Sequence, residues 1–336
     1  MLTGEKAKST RHPSPVTRHA LAALLGAALF ASTAHAAQPS YPDKPIRLII
    51  GSAPGSGPDI ISRILSERLY KSWNQRVVVD ARPGVAGILS AELTLRSVPD
   101  GYTWMMLTSQ LMVATSVYPD VKFNLDKDFA SVSLIGTVPF VLMVNPEVPA
   151  KSVRELIDLA KKQPGALRYG SAGTGASEHL SGVMLTTLTG TSMLHVPYKG
   201  VPQAIADTIA KEVQLTYAVV PAALPVIQGG RLRAIGVTST KRSASLPDVP
   251  SISETVPGYD MLGWYSIVAP TGTPTAILEK VSAEVVKAVR EPEFTATLRN
   301  LGTDVVGSSR AELDAFRAGQ RKKITELVKV SGAKPD

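Results

Sequence analysis

Along most of this chain, short runs of apolar residues alternate with longer segments in which apolar residues recur every three or four positions. The short runs have the length of β-strands, whereas the spacing of Ile60, Ile61, Ile64 and Leu65 puts apolar side chains on one face of a helix. In its first part the chain is predicted to form strands at 46–52, 76–80 and 102–108 and helices at 58–73 and 86–98. This alternation is typical of a parallel sheet with helices on both faces.

The alternation resumes near residue 140, with predicted strands at 140–144, 167–170, 193–197, 213–219 and 232–238 and helices at 152–162, 177–189 and 202–211. Two long apolar segments, 130–144 and 261–270, are suited to cross between two α/β units, and helical segments at 274–290, 293–301 and 310–330 rejoin the first unit. We predict an α/β fold of two lobes joined by two crossing strands, with a ligand cleft between them. Lobe 1 is 37–137 plus 260–336, and lobe 2 is 138–259.

Two loops of similar composition each follow an apolar strand and precede a helix. Residues 52–59 read SAPGSGPD and residues 171–179 read SAGTGASEH. A helix start leaves backbone N–H groups unpaired and carries the positive end of the helix dipole, and glycine lets a ligand approach the backbone. One such loop in each lobe predicts a cleft that holds a small carboxylate from both sides.

Residues 1–36 are predicted to be a cleavable signal peptide. Four basic residues precede the apolar run 21–31, and Ala34-His35-Ala36 fits a cleavage site. Without this segment the net charge falls from +8 to +5, because four bases and one acid are removed. We expect an exported, periplasmic protein that does not bind nucleic acid, since no basic stripe is interleaved with aromatic residues. The chain has no cysteine, which excludes thiol catalysis.

The glycine loops do not fit the motifs of nucleotide-binding or hydrolytic enzymes. A P-loop needs lysine after its last glycine, but Ala176 follows Gly175, and neither loop matches G-x-G-x-x-G. Ser177 and His179 lie close in sequence without the G-x-S-x-G elbow of a hydrolase. No H-E-x-x-H pattern or dense acidic loop indicates a metal site. We therefore expect neither a cofactor nor an enzyme.

Several polar residues have both a structural and a functional interpretation. Asp59 favours its helix start electrostatically, and it could instead meet a ligand ammonium. His179 could reach a bound anion or pack in the interior, and His195 lies in an apolar strand that favours an interior position. Tyr198 and Lys199 lie where the sheet ends, at the edge where open α/β sheets bind ligands.

Motifs spread over nearly the whole chain resemble the Bug proteins, the substrate-binding proteins of tripartite tricarboxylate transporters. The motifs are YPDKPIR at 41–47, APGSGPD at 53–59, ARPG at 81–84, PDGYT at 99–103, YGSAGTG at 169–175, VPYKG at 196–200, RLRA at 231–234, SLPDVP at 245–250 and GWY at 263–265. The resemblance implies a type II periplasmic-binding-protein fold that closes around a small carboxylate. It implies no cofactor, and we expect a monomer.

In such proteins the two glycine loops hold one carboxylate through backbone amides and hydroxyls. Carried to this sequence, the ligand-binding residues are Ser52, Ala53, Pro54, Gly55, Ser56, Gly57, Asp59, Thr108, Ser109, Ser171, Gly173, Thr174, Gly175, Ser177, His179, Tyr198, Tyr217 and Ala218. The resemblance also implies delivery of the ligand to the membrane permease of the transporter. A sensor subunit for a signalling receptor and an exported Ser/His hydrolase are the alternatives.

The sequence departs from many relatives at Ala218. Relatives often carry an acidic residue after the aromatic residue near the end of this strand, whereas Ala218 follows Tyr217 here. An acid at that place could meet a ligand amino group. Its absence predicts a plain mono- or dicarboxylate, aromatic acids included, rather than an amino acid.

Overall fold

The fold is that of a computed structural model, which describes residues 41–118 and 120–333 together with Met1 and Gly4. The predicted signal peptide therefore lies almost entirely outside the described residues. From Tyr41 onward the described residues form one compact unit. None of the helices among them is both long and apolar enough to span a membrane.

In the described part of the chain, ten strands form one mixed sheet. They are β1 (Ile46–Ile50), β2 (Val77–Ala81), β3 (Thr103–Thr108), β4 (Phe129–Val144), β5 (Arg168–Ser171), β6 (Leu194–Pro197), β7 (Leu215–Val219), β8 (Arg233–Val237), β9 (Leu262–Pro270) and β10 (Asp304–Val305). Their order is β2-β1-β3-β9-β4-β7-β5-β6, and β8 and β10 also pair with β4.

The helices lie between these strands. They are α1 (Gly57–Trp73), α2 (Ile88–Leu95), α3 (Ser109–Val117), α4 (Leu125–Asp128), α5 (Val153–Lys162), α6 (Ser177–Thr189), α7 (Val201–Ile209), α8 (Val220–Gln228), α9 (Thr275–Val289), α10 (Pro292–Asn300) and α11 (Arg310–Ser331). Short 3-10 turns occupy Val85–Gly87 and Ile252–Glu254. The predicted α/β class is confirmed.

The sheet is parallel at both ends and antiparallel in the middle. β1 pairs in parallel with β2 and β3, and β5 pairs in parallel with β6 and β7. Between these groups β9 is antiparallel to both β3 and β4, and β4 is antiparallel to β7. The expectation of a parallel sheet is therefore confirmed at each end, while in the centre the returning strand β9 runs antiparallel to β4 and β4 runs antiparallel to β7.

β4 is long enough to take part in both ends of the sheet. Its first part, Phe129 to Pro139, pairs with β9, and from Phe140 it pairs with β7 and β8. Nearly all of its residues are buried. The change of partner between Pro139 and Phe140 lies inside the segment that the sequence predicts to cross between the lobes.

Helices α3 and α8 are absent from the sequence prediction. α3 follows β3 without an intervening loop, so the apolar residues of strand and helix run together and the change of period is hidden. α8 carries Pro225 in its interior, where proline normally ends a helix. Both helices begin at the site described below.

The core lies on both faces of the sheet. Leu107 of β3 packs in a cluster with Leu142 and Trp264, while its neighbour Met106 packs in a separate cluster with Leu48 on the other face. This is the two-residue alternation expected of a strand. The first cluster includes residues from both ends of the sheet, and α11 contacts both α3 and α6.

Candidate functional site

A cavity of about 510 Å³ lies between the ends of strands from both predicted lobes. Its lining residues are Gly51, Ser52, Ala53, Ser56, Pro58, Ala86, Thr108, Ser109, Gln110, Val113, Val138, Phe140, Ala172, Gly175, Ala176, Ser177, Glu178, Val219, Gly263 and Tyr265. A surface cavity of about 700 Å³ near the start of α11 is larger. There, however, Ser309 and Glu312 already cap the helix start, so size alone does not identify a binding site.

Four helices begin at this cavity. The residues that precede α1, α3, α6 and α8 are Ser56, Thr108, Ala176 and Val219, and all four line the cavity. None of the four helices has a side-chain hydrogen bond that caps its start. Their first-turn N–H groups and the positive ends of their dipoles therefore favour an anion in the cavity.

Six hydroxyl groups add further hydrogen-bond donors. They belong to the lining residues Ser52, Ser56, Thr108, Ser109, Ser177 and Tyr265. Within the described residues none of these hydroxyls has a hydrogen-bond partner, and the Ser56 Oγ is a buried atom. Burial of the unpaired Ser56 hydroxyl is unfavourable, so a ligand that accepts its hydrogen bond removes this cost, and the other five hydroxyls can donate to the same ligand.

The first glycine loop is held from behind by Asp59. The Asp59 carboxylate accepts a hydrogen bond from the Gly55 N–H at 2.9 Å and pairs with Arg63 at 3.0 Å. The hydrogen bond from Arg63 lowers the pKa of Asp59, which keeps the carboxylate ionised. Asp59, Pro54 and Gly55 do not line the cavity, and the position of Asp59 supports its structural interpretation.

Glycine permits two close approaches on the cavity side of this loop. A Cβ added at Gly51 would lie 2.7 Å from the Cα of Gly87. A Cβ added at Gly57 would lie 3.2 Å from the Tyr265 hydroxyl oxygen, although Gly57 is not itself a lining residue. Side chains at either position would push the loop away from its neighbours.

The second glycine loop turns sharply between β5 and α6. Gly173 and Gly175 have φ angles of +128° and +78°, which residues with a side chain rarely adopt. Gly175 lines the main cavity, and Gly173 and Thr174 line an adjoining space of about 200 Å³ that shares Gly175 and Gln110. The two glycines therefore bring the backbone to the cavity wall.

Two histidines support this loop from inside the protein. The Gly175 N–H donates to His179 Nδ1 at 3.0 Å, and His195 Nε2 lies 2.6 Å from the Ser171 Oγ. The Ser171 hydroxyl also donates to the Gly173 carbonyl at 2.9 Å, which leaves His195 Nε2–H as the donor to Ser171. Burial lowers the pKa of both histidines to about 4. Neither histidine nor Ser171 lines the cavity.

The remaining predicted contact residues lie elsewhere. Tyr198 faces a separate space with Gly173, Thr174 and Lys199. Tyr217 and Ala218 have no exposed surface and do not line the cavity. This placement differs from the expectation that they shape the far side of the cleft, because Tyr217 packs in one core cluster with Tyr169 and Tyr259 and Ala218 packs in another with Val220 and Ala223.

Several lining residues are not among the sequence candidates. The most distinctive is Glu178, a residue that is 8% exposed and whose pKa is raised to about 6 by burial. Phe140 and Val138 come from the partner change in β4, where the sequence predicts a crossing segment but does not indicate which side chains reach the cavity. Tyr265 belongs to the GWY motif at 263–265, and this motif could have identified Tyr265 as a candidate site residue.

The arrangement lacks the groups of a serine hydrolase. His179 Nδ1 is occupied by the Gly175 N–H, and no carboxylate among the described residues accepts a hydrogen bond from either histidine. Ser171 and His195 form the closer Ser/His pair, but Ser171 is fully buried. The described residues contain no group of three or more His, Cys, Asp or Glu side chains that could hold a metal ion.

Comparison with known proteins shows one consistent likeness. Residues 61–333 match the model of the tripartite tricarboxylate transporter family receptor. The "UPF0065 protein in tcbD-tcbE intergenic region" of Pseudomonas sp. (strain P51) is 35% identical over 304 residues, which are 90% of each chain. The solved structure of R. palustris Rpa4515 with adipate is 31% identical, with a TM-score of 0.73, and covers 88% of this chain and 100% of that one. The periplasmic binding protein BugD is 28% identical, with a TM-score of 0.69 and the same coverage. These likenesses confirm the periplasmic-binding-protein fold.

Proposed function

Because the chain belongs to the tripartite tricarboxylate transporter receptor family, whose members are periplasmic solute-binding proteins and not enzymes, we propose that it captures a small organic acid and delivers it to a permease of that transporter type. The proposed ligand is a mono- or dicarboxylate, with aromatic acids included.

The observation that carries this proposal is the meeting of four uncapped helix starts at one cavity. Backbone N–H groups at helix starts bind carboxylates without a cationic side chain. No Lys, Arg or His side chain is among the described residues that line the cavity. The positive potential of the site therefore comes from the backbone, and the six unpaired hydroxyls supply further hydrogen bonds.

The size and depth of the cavity suit a small molecule. A volume of about 510 Å³ lies within the usual range for ligand pockets. Val113, Val138 and Phe140 provide apolar surface for a carbon skeleton, including an aromatic ring. The structure of Rpa4515, a related protein of 31% identity, was solved with adipate, which is a small dicarboxylate.

The proposed lobes are 37–137 plus 260–336 and 138–259, and they would close around the ligand. Support comes from β4, which changes its pairing partner from β9 to β7 between Pro139 and Phe140, beside the cavity. Closure would bring the two glycine loops together on one carboxylate, and the differential affinity of the ligand would stabilise the closed state. The closed form would then be recognised by the permease.

Export and partner choice also belong to this proposal. Residues 1–36 would be removed on export to the periplasm, and the protein would act as a monomer. A sensor role differs only in the partner that recognises the closed form. Loss of ligand uptake by cells that lack this protein, restored by its re-expression, would support transport, whereas a transcriptional response without uptake would support sensing.

Thermal unfolding with a panel of acids tests carboxylate capture directly. A ligand at about one hundred times its Kd should stabilise the protein by about 2.7 kcal/mol. The panel pairs each carboxylate with its uncharged amide, which keeps the skeleton and removes the anion. A shift with acids but not with amides is the expected result, and equal shifts or none would contradict an anion site at the helix starts.

A further inference from the structure

Among the described residues, the cavity is lined by one acidic residue, and it has no ion pair. Glu178 lies in the first turn of α6, lines the cavity and is only 8% exposed. Within the described residues its carboxylate has no hydrogen bond to another side chain and no ion pair. A buried carboxylate without a counter-charge is unfavourable, and burial raises the pKa of Glu178 to about 6, although a hydrogen bond from its own backbone N–H opposes this shift.

Glu178 is also the only charged side chain among the described lining residues. The rest of the lining offers donors, namely the N–H groups of four helix starts and the hydroxyls. The site thus has a region that favours an anion and a single group that, when ionised, only accepts hydrogen bonds. A second carboxylate on the ligand would meet repulsion from Glu178, and the repulsion is strengthened by the low dielectric of a buried site.

We propose that Glu178 determines specificity by accepting a hydrogen bond from an ammonium or hydroxyl group of the ligand, so that the preferred ligands are carboxylates carrying such a donor. This inference rests on the proposed function and narrows it. An ammonium fits better than a hydroxyl, because it neutralises the buried charge of the Glu178 carboxylate and also donates hydrogen bonds to it. A zwitterion would place its carboxylate at the helix starts and its ammonium at Glu178.

The inference reverses one expectation from the sequence. The absence of an acid at Ala218 argued against an amino-acid ligand, but Ala218 is fully buried and does not line the cavity. Glu178 provides an acid at the cavity wall from a different element. Charge complementarity to a ligand ammonium is therefore present in this chain.

Two series of ligands with matched skeletons test this role. In the first, 6-aminohexanoate, 6-hydroxyhexanoate, hexanoate and adipate differ only in the group at the far end. In the second, phenylalanine, phenyllactate and phenylpropionate differ only beside the carboxylate. Affinities are measured by calorimetric titration at a pH well above the Glu178 pKa. In at least one series the ligand with an ammonium group should bind most tightly, the ligand with a hydroxyl group less tightly and the unsubstituted ligand least tightly. Adipate should bind more weakly than 6-aminohexanoate.

Variants separate specificity from general damage. Glu178→Gln should lower the affinity for the preferred amino ligand about tenfold or more. The affinity for the plain monocarboxylate of the same series should change by less than about threefold. The control is Glu155→Gln, which removes an exposed acid from the first turn of α5 and should change neither. Melting curves without ligand confirm that each variant folds. If Glu178→Gln does not fold, the ranking of ligands by the unaltered protein decides.

Each outcome bears on the inference in a defined way. Carboxylate binding without a preference for donor-bearing ligands, or an equal loss for all ligands in Glu178→Gln, would overturn the role of Glu178 and leave the proposed function standing. Tightest binding of adipate in the first series, with no donor preference in the second, would do the same. No binding of any carboxylate would overturn both.

Discussion

The imidazole ring of His179 lies flat on that of His195, with ring centroids 3.9 Å apart and planes inclined by 18°. One ring accepts the Gly175 N–H and the other contacts the Ser171 hydroxyl. The stacked pair therefore holds both ends of the second glycine loop while the cavity lies on the loop's other side. The Gly175 contact requires a neutral His179, because protonation of Nδ1 removes its acceptor, and protonation of both rings would place two cations face to face.

Acid should therefore destabilise the protein. Because the folded-state pKa of each histidine is about 4 and the ordinary value is 6.5, the unfolded chain binds more protons in that window. The free energy of unfolding keeps its full value above pH 6.5 and decreases as the pH falls toward 4. His179 alone accounts for a decrease of about 3 kcal/mol. Chemical denaturation at a series of pH values measures this loss. His179→Gln, whose amide oxygen can still accept the Gly175 N–H, should reduce it, and an unchanged pH profile would contradict the assignment.

Glu178 should contribute to the pH profile with the opposite sign. Its folded-state pKa of about 6 exceeds its ordinary value of 4.5, so the folded protein binds more protons between these values. Its unfavourable contribution, about 2 kcal/mol above pH 6, should fade as the pH falls toward 4.5. We expect Glu178→Gln to unfold at higher denaturant concentration near neutral pH and to lose stability more steeply in acid. Lower stability of this variant at neutral pH would show that the ionised carboxylate has a stabilising partner.

A side chain at Gly175 should abolish ligand binding. Gly175 has a φ of +78°, and valine there would be strained and would crowd the cavity wall near Val117. Gly190→Val is a matched control, because Gly190 ends the same helix at a φ of +62° in open space. Both variants should lose roughly 1–2 kcal/mol of stability. In titrations only Gly175→Val should fail to bind a carboxylate. Equal binding by the two variants would show that the second glycine loop does not take part in the binding site.

Removal of the Tyr265 hydroxyl should affect binding more than stability. This hydroxyl has no hydrogen-bond partner among the described residues, and it lies at the cavity beside Gly57. Tyr265→Phe should weaken carboxylate binding by roughly 1 kcal/mol, about fivefold, with little change in melting temperature. Tyr259→Phe is the matched control, since the Tyr259 hydroxyl donates to the Ser181 carbonyl at 3.0 Å in the interior. That variant should lose about 1 kcal/mol of stability and retain binding.

Asp59→Asn distinguishes the two interpretations of that residue. If Asp59 only holds the first loop through Gly55 and Arg63, the substitution should lower the affinities for amino-substituted and plain carboxylates by the same factor. The stability loss should be small, at most about 1 kcal/mol, because Arg63 is largely exposed and the ion pair is screened. Selective loss of ligands with an ammonium group would instead place Asp59 in contact with the ligand. Arg63→Ala serves as the control for loss of the ion pair alone.

Much of the architecture follows from local patterns in the sequence. The alternation of strands and helices, the glycine loops at 52–59 and 171–179 and the long crossing segment at 130–144 were all predicted from residue spacing and glycine content. These features depend on periodicity and backbone conformation, which neighbouring residues largely determine. α3 was missed because strand β3 runs directly into it and the period change is hidden.

What the tertiary structure decided is which residues face the cavity. Glu178 and His179 are adjacent in the sequence, yet Glu178 lines the cavity and His179 lies behind the loop. Tyr217 and Ala218 looked suitable at a strand end, but core residues that pack on the two faces of β7 bury both. The sequence determined that α1 and α6 begin in loops rich in glycine and serine, but it did not predict the starts of α3 and α8. Only long-range strand pairing brought the four helix starts to one place, because side-chain direction and helix convergence depend on partners far apart in the chain.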